Sequence, residues 1–355
     1  MRDWANYRHY GWVIAIAMLL VQTVSSGLGF YNMSVYMSFF ARGLDASLDA
    51  VSLSVSLFFI SGGVAGLFVA RLLERWDIRT IMVIGASVSG VALLLIGRAS
   101  NLYELYALFT LFGIGNTGVS IVVATSLITQ WFPDERRSVA LSISSTGLSL
   151  GGVLITPYTA YLFDKTGIFE AMPLLGVIFV VGIVPIVILF IRPPVTLQAV
   201  KETKRNFEME YLQARKSRFF VCVTTAYVLI MAAQVGGIAH LYNRVDALGG
   251  LGVAAGSIQA LTLASISGRL LGGWLLTRIT IRPFLFFNLL IQLLGLFLIG
   301  FSEMSEVAII SSIFFGFSVG NLLMLQPLWL AEIYPSNIYP RLFALSNAYS
   351  VIGVA

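Results

Sequence analysis

The chain has 355 residues, 58% of them hydrophobic and only 11% charged, and its formal net charge is +5. Soluble domains usually carry about 25% charged residues, so the composition excludes an ordinary soluble protein and predicts an all-α, multi-pass protein of the lipid bilayer. One cysteine and two histidines exclude a disulfide framework and a His- or Cys-based metal centre, and we expect neither metal nor cofactor. The cations are spread along the chain, which argues against a nucleic-acid partner.

Eleven apolar segments follow one another along the chain, and most are long enough to span a bilayer as helices. The last one stops in mid-run, so we expect the sequence to be truncated, with the rest of that helix and a twelfth helix missing. The predicted segments are 12–40, 50–73, 80–97, 103–131, 138–163, 171–191, 219–243, 252–277, 283–301, 307–331 and 342–355.

Lys and Arg are distributed unevenly between the two sides of these segments. Seventeen precede the first segment or follow even-numbered ones, and four follow odd-numbered ones, which predicts a cytoplasmic amino terminus in a cell membrane. The seventeen are Arg2, Arg8, Arg71, Arg75, Arg79, Arg136, Arg137, Arg192, Lys201, Lys204, Arg205, Arg215, Lys216, Arg218, Arg278, Arg282 and Arg341. The four are Arg42, Arg98, Lys165 and Arg244.

The longest and most charged gap between apolar segments is 192–218. Pro193 and Pro194 end the preceding helix, and acidic residues then alternate with basic ones, which favours a short helix on the cytoplasmic surface. We therefore divide the chain into an amino-terminal six-helix bundle, 1–191, this linker, and an incomplete carboxyl-terminal bundle, 219–355.

A single charged residue, Arg269, lies deep inside an apolar segment. It precedes Arg278 by roughly 13 Å of helix, near the middle of a ~30 Å hydrocarbon layer if Arg278 marks the interface. A cation at that depth costs at least about 2.5–3.5 kcal/mol, and an arginine cannot shed its charge. We interpret Arg269 as a contact for an anionic ligand or a water-filled cavity. The alternatives are a hydrogen-bonding role between conformers and a side chain that snorkels to the interface.

The stretch around Arg269 has a counterpart upstream. Residues 66–79 align with the later stretch so that Arg75 falls on Arg278 and Arg79 on Arg282, whereas Arg269 falls on a glycine. A repeat with a polar site in only one copy is typical of transporters built from two related halves.

Several short motifs carry a resemblance to a known family. With the paired loops after the second and eighth segments, they are similar in order and spacing to the major facilitator superfamily, and within it to the monocarboxylate and oxalate/formate porter branch. That resemblance implies two six-helix bundles, alternating access and a monomer. The motifs are Trp131, Phe132, Pro133, Arg136, Arg137 and Ala140; His240 and Leu241; Gly268 and Arg269; and Ala331, Glu332, Ile333, Tyr334 and Pro335.

Two other groups of residues resemble the family's conformational motifs. The loop after the second segment has Glu74 where the family usually has Asp, and Asp77 where it usually has Gly. Its glycines allow close helix approach, and its charges could latch one conformer or merely anchor the loop at the interface. The fifth segment holds a fragment of the antiporter signature, which we interpret as packing and kinking. The residues are Gly62, Gly66, Glu74, Arg75 and Arg79, their counterparts Gly268, Arg278 and Arg282, and Gly147, Gly151 and Pro157.

In the porter branch, the arginine of the eighth helix resembles a carboxylate clamp, a role that the resemblance implies for Arg269. The second cation of oxalate exchangers is absent, since Ile352 stands near its place, which favours a monoanion. Ser265 stands where proton-coupled porters often have Asp, so His240 is the titratable candidate, or else a structural interfacial residue. Symport, antiport and uniport all stay open.

Other polar residues within the segments could line the same cavity, although hydrogen bonds between helices are the default for each of them. Tyr31 and Asn32 are the preferred candidates, because the first helix faces the central cavity in the family's fold. The set comprises Tyr31, Asn32, Asn116, Thr117, Gln234, Asn321, Gln326 and Asn347.

These observations predict a secondary transporter of small, monocarboxylate-like organic anions. A membrane-embedded enzyme would need a His/Asp/Glu or Ser/Lys constellation at membrane depth, and the sequence has none, so we expect no enzyme. The alternatives are an exporter of neutral drugs or metabolites with the same fold, and a non-transporting sensor or scaffold.

Overall fold

The computed structural model describes residues 2–132, 136–193 and 204–353, and within them the chain is helical without any strand. Nine helical spans of these residues are long and apolar enough to cross a membrane, which confirms the prediction of an all-α membrane protein. The predicted Pro133, Pro194 and Lys201 positions lie outside the described residues, as does the end of the chain after residue 353.

Fourteen α-helices follow one another in the described residues. The amino-terminal half contains α1 (Arg2–Ser26), α2 (Met33–Gly43), α3 (Leu48–Leu72), α4 (Ile78–Ile96), α5 (Leu102–Asn116), α6 (Ile121–Trp131), α7 (Arg137–Thr166) and α8 (Ile168–Phe190). The remainder contains α9 (Lys204–Ala214), α10 (Arg218–Gly249), α11 (Leu251–Leu275), α12 (Ile281–Phe301), α13 (Ser305–Ile333) and α14 (Tyr339–Ile352). Helix α9 lies where the sequence predicted a surface helix.

Two predicted segments are interrupted rather than continuous. The first consists of α1, a π-helix at Gly27–Tyr31 and α2, and the fourth consists of α5, a 3₁₀ turn at Thr117–Val119 and α6. Irregular turns of this kind are frequent at functional sites. The candidate residues Tyr31, Asn32 and Asn116 lie at these two interruptions. A further correction concerns α10, which continues past its predicted end to Gly249.

Each half packs mainly within itself, and the two halves meet mainly along two helix pairs, with smaller contacts of α13 on α7 and of α14 on α6. In the first half α1 packs on α7 and α4 on α8, and in the second α13 packs on both α11 and α12. Between the halves, α7 lies against α11 and α3 against α14. One side of the molecule, called the basic face below, carries Arg75 and Arg278, which follow α3 and α11, and Arg137 and Arg341, which lie in the first turns of α7 and α14.

The closest approach inside the second half is between α11 and α13. A Cβ atom built on Gly316 would lie 2.1 Å from the carbonyl oxygen of Leu261, and one on Gly320 would lie 2.2 Å from that of Ser265. No real Cβ fits at such distances from a backbone atom. The two glycines therefore set the spacing of these helices.

We expect Gly316→Ala to destabilise the protein by about 1–3 kcal/mol, because the added methyl group forces α11 and α13 apart. Gly256→Ala on α11 is the matched control, since a Cβ there meets nothing within 4 Å. It should be neutral, or stabilising by about 0.5–1 kcal/mol through helix propensity. Thermal unfolding in detergent measures both changes, and equal melting temperatures for the two variants would contradict the close-packing interpretation.

Candidate functional site

Arg269 lies on α11 where that helix meets α7 and α13. Its side chain is 0% exposed, and it is the largest fully buried side chain among the described residues. It does not extend towards an interface, so the snorkelling alternative does not hold. The guanidinium instead sits between the two halves of the molecule.

The guanidinium uses three of its five N–H groups. Nε donates to the carbonyl oxygen of Gly320 on α13 at 3.1 Å. Nη1 donates across the interface to the carbonyl oxygen of Ser145 at 2.6 Å and to Oγ of Ser149 at 3.0 Å, both on α7. Nη2 has no hydrogen-bond partner among the described residues, although it is buried. Two donors of a buried cation are thus left over in this conformer.

No carboxylate neutralises this charge within the described part of the chain. The ion pairs there join Arg79 with Asp77, and Arg341 with Glu74 and Glu208, all near the basic face. The acceptors of Arg269 are neutral oxygens, and Tyr31 of the first half lies close to the guanidinium. A buried charge without a counter-ion is costly, so the site favours an anion that approaches Nη2.

Small residues on α11 allow these contacts. A Cβ on Gly268 would lie 2.6 Å from the carbonyl oxygen of Phe317, and one on Gly273 would lie 2.3 Å from Cβ of Ser142. Oγ of Ser142 also donates to the carbonyl oxygen of Arg269 at 2.5 Å. Close approach brings the α7 backbone within reach of the guanidinium.

The contacts on α7 were missed by the sequence reasoning, although a signal exists. Ser138, Ser142, Ser145 and Ser149 recur at helical spacing and so share one face of α7. Small hydroxyl residues are enriched where membrane helices pack closely. This serine stripe marks the face that meets α11.

Two of the predicted cavity residues lie near Arg269. Tyr31 packs on α7, with its ring 2.8 Å from the place of a Cβ on Gly152. Asn321 follows the Gly320 acceptor on α13, and its Oδ1 is buried without a hydrogen-bond partner among the described residues. Tyr31 thus lies close to the guanidinium from the first half, whereas the side chain of Asn321 donates to the carbonyl oxygen of Phe317 and lies against Gly272 of α11.

Most of the other predicted cavity residues form hydrogen bonds within their own half. Asn32 donates to Thr159 at 2.9 Å, Asn116 accepts from Ser25 at 2.7 Å, and Gln234 donates to Gln292 at 2.9 Å. Gln292 was not among the predicted residues. Thr117 donates to Gly113, Gln326 donates to Ser346 and Ser350, and His240 is exposed on α10.

Two glycines of the predicted conformational motifs lie at close helix contacts in the first half. A Cβ on Gly147 would lie 2.2 Å from the carbonyl oxygen of Leu19, and one on Gly151 2.5 Å from the backbone nitrogen of Gly27. A Cβ built on Gly62 or Gly66 would lie 3.6 Å from the side chain of Thr117, an ordinary contact distance, so these two positions do not require glycine for close approach. Pro157 lies within α7 and is exposed.

The charged residues of those motifs lie at the basic face. Glu74 forms an ion pair with Arg341 on α14, and Arg137 donates to the carbonyl oxygen of Ala331 at 2.6 Å. Arg79 pairs with the N-cap residue Asp77 and holds the pKa of that carboxyl below its usual range. Arg278 stacks 4.5 Å from the ring centre of Trp274, while Arg75 and Arg282 are exposed. Glu74 and Arg137 thus join the two halves at this face.

A disulfide could report on closure of this face. A Cβ on Gly63 of α3 would lie 3.9 Å from Cβ of Val351 on α14, within the range of about 3.5–4.5 Å that disulfides need. We call the pair Gly63→Cys with Val351→Cys the cross-link reporter. It is built in a Cys222→Ser background, with a protease site between residues 194 and 203 so that joined halves can be recognised on gels.

We expect acidification to favour closure of the basic face. Burial raises the pKa of Glu74 and outweighs the hydrogen bonds and charge of Arg341, which lower it. A pKa raised in the closed conformer means that proton binding stabilises that conformer, and the gain disappears as the pH rises through the raised pKa. Reporter yield should therefore increase as the pH falls from about 7.5 to 5, relative to a Glu74→Gln reporter at the same pH values. If the yield relative to the Glu74→Gln reporter instead decreased as the pH fell, protonation of Glu74 would oppose closure, and the prediction would be wrong.

Comparisons with known proteins agree with this architecture. The family model described as Major Facilitator Superfamily matches residues 19–355. The chain is 25% identical over 322 residues to the Uncharacterized MFS-type transporter YcxA of Bacillus subtilis, covering 86% of this chain and 76% of that one. It is 27% identical over 255 residues to the Oxalate:formate antiporter of Oxalobacter formigenes, covering 69% and 57%. The crystal structure of the transporter FucP in the outward conformation superposes with a TM-score of 0.80 at 12% identity, covering 97% and 89%.

Proposed function

Because the chain belongs to the Major Facilitator Superfamily, we propose that it is a secondary active transporter of small, monocarboxylate-like organic anions. It works by alternating access, and Arg269 is the residue that meets the carboxylate. The observation that carries this proposal is the buried guanidinium with two unpartnered N–H groups and no carboxylate beside it in the described residues. The name of the Oxalobacter formigenes relative supports a carboxylate substrate.

The orientation of the transporter forms part of the proposal. We assign the basic face to the cytoplasm of a cell, because Lys and Arg are concentrated in the loops on that side. The contacts across it, from Arg341 to Glu74 and from Arg137 to Ala331, close that side in this conformer. The similarity to a structure in the outward conformation supports an outward-facing state. The anion then enters from the opposite side.

The hydrogen bonds of Arg269 suggest how the anion triggers the change of state. A carboxylate can first meet Nη2, but a bidentate grip needs a second nitrogen, and Nε and Nη1 are occupied. We infer that the carboxylate takes Nη1 rather than Nε, which displaces Ser145 and Ser149 of α7. The substrate therefore replaces contacts between the two halves, and this exchange favours the conformer in which the basic face opens.

Counterflow in proteoliposomes tests the proposed substrate class. We expect saturable exchange of labelled monocarboxylates and weaker exchange of dicarboxylates, because a single cation neutralises only one carboxylate. The assay is run with and without a pH gradient; acid-stimulated uptake would indicate symport, and pH-independent exchange would indicate antiport. Absence of flux for every anion in the panel would overturn the proposal and favour an exporter of neutral compounds.

A further inference from the structure

A second site lies at the side of the molecule, away from Arg269. A groove of about 680 Å³ runs between α3 of the first half and α9, α10 and α14 of the second, next to the basic face. Of the described residues that line it, four are cationic and none is acidic. The cations are Arg71, Arg215, Lys216 and Arg341.

Three of these cations have no carboxylate partner among the described residues. Arg341 shares its charge with Glu74 and Glu208, but Arg71, Arg215 and Lys216 form no ion pair there. All three are exposed. Their charges converge on one rim of the groove from two different halves of the chain, which gives that rim a positive potential suited to an anion.

Below this rim the groove is lined mostly by apolar side chains, although two threonines of α10 also line it. Its wall on α10 includes Val221 and Leu229, which are 50% and 67% exposed and lie roughly 12 Å apart along the helix. The helix begins at Arg218, at the level of the cations, and runs from there into the hydrocarbon region. The groove thus offers charge at headgroup depth and an apolar strip at acyl-chain depth.

We propose that this groove binds an anionic glycerophospholipid. Its headgroup phosphate contacts Arg71, Arg215 and Lys216, and an acyl chain lies along Val221 and Leu229. Basic pockets between membrane helices on the cytoplasmic side recognise anionic headgroups in this way. The proposal does not depend on the identity of the transported substrate.

The lipid also favours one conformer. Arg71 belongs to the first half, whereas Arg215 and Lys216 belong to the second-half side of the groove, so a phosphate between them bridges the two walls. Such a bridge exists only while α3 and α14 are together at the basic face. A ligand stabilises the state that it binds better, so anionic lipid holds that face closed.

The test uses the full-length protein, delipidated in detergent and returned to phosphatidylglycerol or phosphatidylcholine, with bound lipid measured by native mass spectrometry. We expect saturable binding of phosphatidylglycerol only. Arg71→Gln and Lys216→Gln should each weaken it about fivefold. The matched control is Arg218→Gln, which removes an equal charge on the same face from an exposed residue outside the groove, and it should stay within about twofold.

Conformation provides an independent readout. Phosphatidylglycerol should raise the yield of the cross-link reporter, and Arg71→Gln should remove that increase without lowering the melting temperature. If Arg218→Gln weakened phosphatidylglycerol binding as much as Arg71→Gln, the binding would reflect diffuse surface charge, and the proposal would be overturned. Three other results would also overturn the proposal: equal binding of phosphatidylcholine, displacement of the bound lipid by millimolar inorganic phosphate, and dimerisation of the protein that depends on Arg71.

Discussion

We expect Arg269→Ala to abolish saturable uptake of small monocarboxylates while the protein still reaches the membrane. Removing one partner of a buried charge pair costs about 2–5 kcal/mol, or roughly 30-fold to several thousand-fold in Kd. Arg269→Lys should also lose most activity, because one ammonium group cannot replace a planar fork that contacts α7 and α13 together. Uptake by proteoliposomes measures both variants, and full transport by the alanine variant would rule out the clamp.

A binding measurement separates the clamp from a purely conformational role. If Arg269 only joined α7 to α11, the alanine variant would still bind the labelled anion at equilibrium while failing to transport it. The clamp predicts that binding is lost as well.

Ser149→Ala is the matched control, because it removes one acceptor of Nη1 and leaves the guanidinium in place. Since the proposed substrate competes with α7 for Nη1, this change should leave affinity unchanged or increase it up to about tenfold. A loss of binding comparable to that of Arg269→Ala would contradict the exchange of contacts.

Gly273→Leu should abolish transport by preventing the basic face from closing. A Cβ at this position already lies 2.3 Å from Cβ of Ser142 and 3.1 Å from the carbonyl oxygen of Ser138, both on α7. The larger side chain must separate α7 from α11, which belong to different halves. The yield of the cross-link reporter should therefore fall severalfold, because Gly63 and Val351 separate together with these helices.

The control for this prediction is Gly256→Leu on the same helix, where an added Cβ meets nothing within 4 Å. It should retain both transport and cross-linking. A melting curve confirms that Gly273→Leu is folded. Unchanged cross-linking in Gly273→Leu would show that the interface accommodates the side chain, and the proposed closure at this contact would be wrong.

Much of the architecture was predictable because bilayer physics acts on each segment separately. A helix of the right length and composition spans the membrane whatever its neighbours are. The predicted segments therefore agree with the described helices, apart from their ends and the interruptions after Ser26 and Asn116. Those interruptions depend on packing between helices, which periodicity does not encode.

The candidate site was predictable in part. Arg269 stood out because a charge in an apolar segment is costly wherever the helix packs, and Tyr31 was preferred because it lies on the first helix. Gln234 and Asn116 looked equally suitable in the sequence, yet they bond to Gln292 and Ser25 inside their own halves. Which polar residues meet depends on the rotation of each helix against its neighbours.

The sequence by itself determined that this chain is a multi-pass helical protein with most of its Lys and Arg on one side and one cation deep inside an apolar segment. Only the tertiary structure decided what that cation contacts. Two of its three hydrogen bonds go to backbone carbonyl oxygens, of Ser145 and Gly320, and every residue has such an oxygen. Because a backbone carbonyl is present whatever the residue type, the sequence does not indicate which carbonyl will accept a hydrogen bond. These partners are specified only by the close approach of α7, α11 and α13.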